Sequence, residues 1–143
     1  LHDIEGRWYI NLSTFPMWLK GDKMNPTFNY AIIDSDTLSD IVRYEKKGKQ
    51  KKISGYDKVN SGNVKFIWRG KGVLKFLKSK WEIILFDKEN QIAVIHFEKT
   101  LFTPEGYDVI SRNKSIDNEK KNELLKILIA ADKTINPITI EQK

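Results

Sequence analysis

The sequence contains no cysteine and only two histidines, His2 and His96, among its 143 residues. The absence of cysteine excludes a disulfide scaffold, thiolate catalysis and any metal site with cysteine ligands. Two histidines cannot form a histidine-rich metal site by themselves, so we expect neither a metal nor another cofactor. No stretch approaches the roughly 18 to 20 consecutive apolar residues that a membrane-spanning helix needs.

Common catalytic motifs are also missing from the sequence. It has no Gly-x-Ser-x-Gly nucleophile elbow, no P-loop and no His-Glu-x-x-His pair. His96 and Glu98 alternate onto one face of a predicted strand and could act as an acid–base pair, although a hydrogen-bonded strand histidine is the commoner explanation. The sequence therefore favours a binding protein over an enzyme.

Charged residues make up 31% of the chain and hydrophobic residues 40%, a balance that predicts one globular domain. The net charge is +6, and part of it falls in one cluster around Gly48, formed by Lys46, Lys47, Lys49, Lys51 and Lys52. This cluster is either a solvated hairpin tip or a contact for an anionic head group or membrane surface. No aromatic residues interleave with these lysines, so we expect no nucleic-acid binding.

Eight short segments rich in β-branched and aromatic residues predict strands at about residues 6–15, 27–33, 41–45, 53–59, 64–69, 81–86, 91–97 and 107–112. Turn residues separate most of them, including those at 34–36, 46–49, 60–63 and 87–90. This spacing is typical of a sandwich or an up-and-down barrel. From residue 116 the apolar spacing becomes helical, which predicts a helix at about 116–131 with Ser115 or Asp117 as N-cap, then a short strand or tail.

Three motifs occur in a characteristic order. Gly6-Arg7-Trp8-Tyr9 opens the first strand and precedes a long loop with Pro16 and Trp18, and Val109-Ile110-Ser111-Arg112 closes the eighth strand just before the helix. In this the chain resembles the lipocalins, and by layout the small bacterial ones. The turn at residues 87–91 departs from the family pattern, because it retains the aspartate but not the tyrosine that often follows.

The resemblance implies one domain over residues 1–143. It would be an all-β, eight-stranded, up-and-down antiparallel barrel at about 5–113, with one C-terminal helix at 116–131 and a strand or tail at 134–143. Gly6, Trp8 and Arg112 would be structural, with the Arg112 guanidinium lying across the Trp8 ring at the closed end. The loop at 17–25 would be a lid with Trp18 at the mouth, unless Trp18 packs outside. Resemblance to bacterial members also suggests export to the periplasm or outer membrane, with secretion as the second choice.

An eight-stranded barrel is just wide enough to be filled by side chains or to hold one small ligand. Alternation along the first strand places Gly6, Trp8, Ile10 and Leu12 inside. Together with aromatic residues on other strands, this predicts ligand contacts from Leu12, Trp18, Phe28, Tyr30, Tyr44, Trp68, Trp81 and Phe97.

The leading hypothesis is therefore binding, storage or transport of a small hydrophobic ligand of the fatty acid or lysophospholipid type. The lysine cluster or Arg69 would steer its head group. Two alternatives are a calycin-type enzyme that acts on a lipid and uses His96, and a basic module for an anionic membrane surface. The sequence does not indicate the oligomeric state.

Overall fold

The computed structural model describes residues 1–62 and 64–143. Asn63, the last residue of the turn predicted at 60–63, lies outside the described residues. Nine β-strands and two α-helices occur in the described part of the chain: β1 Gly6–Ser13, α1 Pro16–Leu19, β2 Met24–Asp34, β3 Thr37–Lys46, β4 Lys49–Ser61, β5 Lys65–Gly70, β6 Lys78–Asp87, β7 Ile92–Phe97, β8 Gly106–Ser111, α2 Asn118–Ala131 and β9 Ile138–Thr139.

Consecutive strands within β1 to β8 pair antiparallel, and β8 also pairs with β1. The first eight strands therefore close into an up-and-down barrel, which confirms the predicted fold class. The short strand β9 pairs with the end of β1, where Leu12 lies opposite Thr139. No helix in the described residues is long and apolar enough to cross a membrane.

The hairpin of β3 and β4 is longer than the sequence predicted. The ladder continues to the pair Lys46 and Lys49, and Lys47 and Gly48 form the connection, with φ angles of 53° and 73°. Two consecutive positive φ angles are typical of a type I′ turn, whose twist matches that of the strands. The polar residues near the tip still pair as strands, because the backbone hydrogen bonds between two strands form irrespective of how hydrophobic the side chains are.

Leu12 does not face the barrel interior, contrary to the prediction. The pairing of β1 with β8 shifts between Ile10 and Leu12, so that Asn11 is an extra residue in β1. Such a bulge inverts the inward and outward alternation beyond it. Leu12 consequently packs outside the barrel, in a cluster with Leu124 and Leu128 of α2.

The helix α2 begins at the N-cap Asp117, whose side chain accepts a hydrogen bond from the backbone N–H of Lys120 at 2.8 Å. The Lys120 ammonium lies 3.0 Å from Asp87, the last residue of β6. Hydrogen bonds from Asn90 and from Lys120 lower the pKa of Asp87 to about 2. Asp87, the aspartate that the chain shares with the family pattern, therefore links α2 to the barrel through Lys120.

Trp8 fills the closed end of the barrel and is fully buried. Its indole N–H donates to the carbonyl of Ile4 at 2.7 Å, and the Arg112 guanidinium lies 3.9 Å from the ring centroid. The same guanidinium donates to the carbonyl oxygens of Asp3, Glu5 and Arg7. Arg112 therefore ties the N-terminal segment to the barrel base.

Gly6 allows this close approach of Arg112. Its φ angle is +105°, and a Cβ atom at this position would lie 2.9 Å from Nη1 of Arg112. A larger residue would be strained and would also displace the guanidinium.

Candidate ligand-binding cavity

A cavity of about 210 Å³ lies inside the barrel at the end opposite Trp8. Its walls come from the strand ends and loops at this open end: Phe15, Met17, Trp18, Phe28, Asp40, Val42, Ile53, Trp68, Leu77, Lys78, Ser79, Trp81, Phe97, Thr100, Phe102, Thr103 and Asp108. Most of these side chains are apolar. The barrel is therefore not completely filled by its own side chains.

Aromatic rings form the deep part of this cavity around Trp81. The Trp81 ring stacks on Phe66 at 4.3 Å and on Tyr30 at 5.9 Å between centroids, and Phe97 lies 6.2 Å away. Stacked and edge-to-face rings of this kind make a rigid apolar wall, because few torsions remain free in a packed ring. The wall is thus formed before a ligand enters.

The loop after β1 folds back over the open end. Pro16 begins the short helix α1, where its fixed φ angle suits the first helical position. Trp18 is only 4% exposed and contacts Tyr44 edge-to-face at 5.7 Å. Trp18 therefore faces the cavity and does not pack on the outside of the barrel.

The structure brings together five of the eight predicted ligand contacts. Trp18, Phe28, Trp68, Trp81 and Phe97 line the cavity. Tyr30 lies beneath it in the stack with Trp81, and Tyr44 lies behind Trp18. Leu12 is outside the barrel for the reason given above. Whether the five lining residues touch a ligand stays a prediction.

Three buried aspartates inside the barrel were missed by the sequence reasoning. Asp40 on β3, Asp57 on β4 and Asp108 on β8 are all 5% exposed or less, and Asp40 and Asp108 line the cavity. A sequence signal existed at Asp40, since it alternates with the apolar residues Leu38 and Val42 and so shares their inward phase.

Burial disfavours the charged form of all three carboxyl groups. It raises the pKa of Asp40 to about 6 and that of Asp108 to about 7, with a hydrogen bond from Ser13 opposing the second shift. The pKa of Asp57 is raised well above its usual value by burial and by the neighbouring Asp40. The indole N–H of Trp81 donates to Oδ1 of Asp57 at 2.9 Å.

The cavity reaches the surface beside exposed apolar and basic residues. Lys78 and Phe102 line its mouth, and Phe102 is 71% exposed. Val73, Phe76 and Leu101 are also exposed on the two loops that follow β5 and β7. The lysine cluster of the β3–β4 hairpin lies at this same end, with Lys46 only 3.6 Å from Asp22 in the loop after α1.

Two residues considered from sequence do not face the cavity. His96 lies on the outer face of β7, where its ring nitrogens are 3.5 Å from Glu82 and 3.3 Å from Glu105. His96 therefore contacts Glu82 and Glu105 instead of the Glu98 partner considered from the sequence. Arg69 is exposed on the outer face of β5, beside Ile67, and points away from the cavity because it alternates with the inward Trp68.

Solved structures with the same architecture identify the class of fold. Lobster apocrustacyanin A1 is 16% identical, with a TM-score of 0.70 over 99% of this chain and 79% of that one. The siderocalin Ex-FABP is 15% identical, with a TM-score of 0.72 over 99% and 95%. The possum milk whey lipocalin trichosurin, solved with bound 4-ethylphenol, is 12% identical, with a TM-score of 0.67 over 90% of each chain.

These similarities show that the chain has the lipocalin fold. No protein-family model matches the sequence, and comparison with curated proteins finds no match. At identities this low the likeness concerns the fold alone. The narrower resemblance to the small bacterial lipocalins stays a prediction.

Proposed function

We propose that the protein binds one small hydrophobic or amphiphilic molecule inside the barrel. The observation that carries this proposal is the cavity of about 210 Å³, closed at its base by stacked rings and covered by α1. A ligand that buries about 200 Å² of apolar surface gains about 5 kcal/mol from leaving water, before the cost of association. Trichosurin, of the same fold, holds a molecule of suitable size, 4-ethylphenol.

Tryptophan fluorescence tests this proposal, because Trp18, Trp68 and Trp81 line the cavity. Titration with n-propylbenzene should change the emission in a saturable manner. Ile53→Phe should fill part of the cavity and weaken binding about tenfold or more, whereas Ile33→Phe is the matched control because Ile33 is exposed outside the barrel. Equal affinity in both variants would refute the proposal, and so would failure of the wild type to bind any hydrophobic or amphiphilic compound of this size.

We further propose that the ligand leaves the barrel chemically unchanged. Within the described residues His96 faces away from the cavity, so it cannot reach a bound molecule as an acid or base. Mass spectrometry of ligand recovered after incubation should therefore show the starting compound only. Release of a converted product would restore the calycin-type enzyme as the better explanation.

The fatty acid or lysophospholipid hypothesis becomes more specific in this geometry. The anionic head group would have to lie at the mouth, near Lys78 and the lysine cluster, because the wall deeper inside carries Asp40 and Asp108. A long acyl chain would also extend beyond a cavity of this volume, which suits shorter chains better. Displacement of a bound probe by fatty acids of increasing length, and by lysophosphatidylcholine, tests this hypothesis. An affinity that rises with chain length only until the chain fills the cavity, and then levels off, would support it.

A second proposal concerns the rim of the cavity, which combines exposed apolar side chains with lysines. Leu101 and Phe102 are 96% and 71% exposed. The lysine cluster lies at the same end of the barrel. Apolar side chains beside basic ones favour an anionic bilayer surface. Sedimentation with phosphatidylglycerol-containing vesicles should exceed that with phosphatidylcholine alone and should fall with salt.

Export to the periplasm or outer membrane is a separate proposal, tested by cell fractionation.

A further inference from the structure

Two buried carboxyl groups in the cavity wall lack a counter-ion. Asp40 is 5% exposed and Asp108 is 1% exposed, and Oδ1 of each has no hydrogen-bond partner. Neither residue takes part in an ion pair within the part of the chain that the structure describes. A buried carboxylate without a partner is costly, so native structures seldom leave one without a functional reason.

Asp57 lies beside Asp40, close enough for each carboxyl group to shift the pKa of the other. Oδ2 of Asp57, like Oδ1 of Asp40, has no hydrogen-bond partner among the described residues. Two adjacent carboxyl groups of this kind share one proton, which leaves one negative charge on the pair. The hydroxyl group of Ser13 is hydrogen-bonded to the side chain of Asp108 on β8. Among the described residues that line the cavity, only Lys78 at the mouth is basic, so the deeper interior offers two acceptor sites without a cation.

The surroundings of these carboxyl groups indicate which kind of hydrogen-bond donor would pair with them. Phe28, Trp81 and Phe97 line the same cavity as Asp40 and Asp108, and aromatic rings attract a desolvated cation. The lysine at the cavity, Lys78, is exposed at the mouth. An engineered apolar cavity of about 150 Å³ holds benzene, so the present volume of about 210 Å³ suits one ring with a short substituent.

We propose that the cavity is a site for a small protonated organic amine, whose ammonium group donates to Asp108 and to the carboxylate of Asp40 while its hydrocarbon part packs against the aromatic wall. This inference rests on the proposed function, because it names the chemical class of the ligand. A ligand with a carboxylate would meet like charge at the same two positions. A neutral ligand would leave both charges without a counter-ion.

Four compounds of similar size and different charge test this proposal by isothermal titration calorimetry at about pH 8. They are 2-phenylethylamine, a cation at this pH, 4-ethylphenol, a neutral donor, n-propylbenzene, which has no donor, and 3-phenylpropanoate, an anion. Because truncation of a buried charged pair is costly, we expect the amine to bind about 30-fold or more tightly than n-propylbenzene. The anion should bind more weakly than the amine, because its carboxylate cannot lie beside Asp40 and Asp108.

Variants of the two carboxyl groups identify the atoms responsible. Asp108→Asn and Asp40→Asn should each remove most of the preference for the amine and leave the affinity for n-propylbenzene within about threefold. Asp36→Asn is the matched control, since it removes the same charge from an exposed turn outside the barrel. The comparison of the four compounds on the wild type does not depend on the folding of any variant.

The outcomes separate this inference from the proposed function. Binding of n-propylbenzene as tightly as the amine would overturn the amine site while leaving a hydrophobic cavity. Equal binding of 4-ethylphenol and the amine would show that a neutral donor suffices and would also overturn it. Failure of all four compounds to bind would refute the proposed function, and the amine site with it.

Discussion

The replacement of Asp108 by asparagine should make the protein increasingly stable, relative to the wild type, as the pH rises from about 4 to 8. Asp108 is 1% exposed, and its burial raises its pKa from 3.8 to about 7. Between these two values the folded state binds a proton that the unfolded state has released. The free energy of unfolding contributed by this group therefore falls as pH rises through the window, because the charged form is disfavoured in the folded barrel.

The shift from 3.8 to about 7 sets the size of the effect. Each pKa unit corresponds to about 1.4 kcal/mol, so the carboxylate lowers the free energy of unfolding by about 4 kcal/mol at pH 8 relative to pH 4. Asparagine has nearly the same shape and stays neutral. Any constant cost of its unpartnered amide group, about 1 to 3 kcal/mol, is the same at both pH values and cancels in the comparison.

Urea denaturation of the wild type and the Asp108→Asn variant, repeated at several pH values from about 4 to 8, measures this difference. The stability of the variant relative to the wild type should increase by about 4 kcal/mol across the range. Asp3→Asn controls for the loss of one charge, since the Asp3 side chain is 69% exposed. Parallel pH profiles for wild type and Asp108→Asn would show that the carboxyl group is solvated, and the reasoning would be refuted.

Two further predictions concern the closed end and the outer cluster. Arg112→Lys should lower the free energy of unfolding, measured by urea denaturation, by about 2 to 3 kcal/mol, because an ammonium cannot keep both the three carbonyl contacts and the stacking on Trp8. Arg7→Lys is the control, since Arg7 is exposed. An equal loss of stability in the control would contradict the role of Arg112. Leu128→Ala should lower the free energy of unfolding by about 3 kcal/mol, measured by thermal or urea denaturation, without changing the affinity for a cavity ligand. The control Ile129→Ala, at an exposed position, should lower it by less than about 0.5 kcal/mol. A loss of ligand binding in Leu128→Ala would show that the outer cluster and the cavity are coupled.

The class of fold was predictable because its signals are local. Alternating apolar residues between turns such as 34–36 and 87–90 specify short antiparallel strands, irrespective of which neighbouring strand each one pairs with. Asp117 at the N-cap and the apolar spacing after it specify α2 in the same way. Aromatic residues placed on strands, among them Trp68 and Trp81, were sufficient to indicate an apolar barrel interior.

The inward or outward direction of individual side chains was only partly predictable. A bulge at Asn11 turns Leu12 outward, and a second register shift between Ile83 and Leu85 does the same to Leu85 in β6. Because the side-chain period of a strand is two, one extra residue inverts every later position. Nothing in the local sequence marks where such an extra residue occurs.

The amino-acid sequence by itself thus determined the strands, the helix and the apolar character of the interior, since each depends on neighbouring residues in the chain. Only the tertiary structure decided that Asp40, Asp57 and Asp108, from three separate strands, would be buried in one barrel. It also decided that the mouth would carry the lysine cluster and that His96 would lie outside. The physical reason is that the burial and charge of these groups arise when the sheet closes, from contacts between residues far apart in sequence.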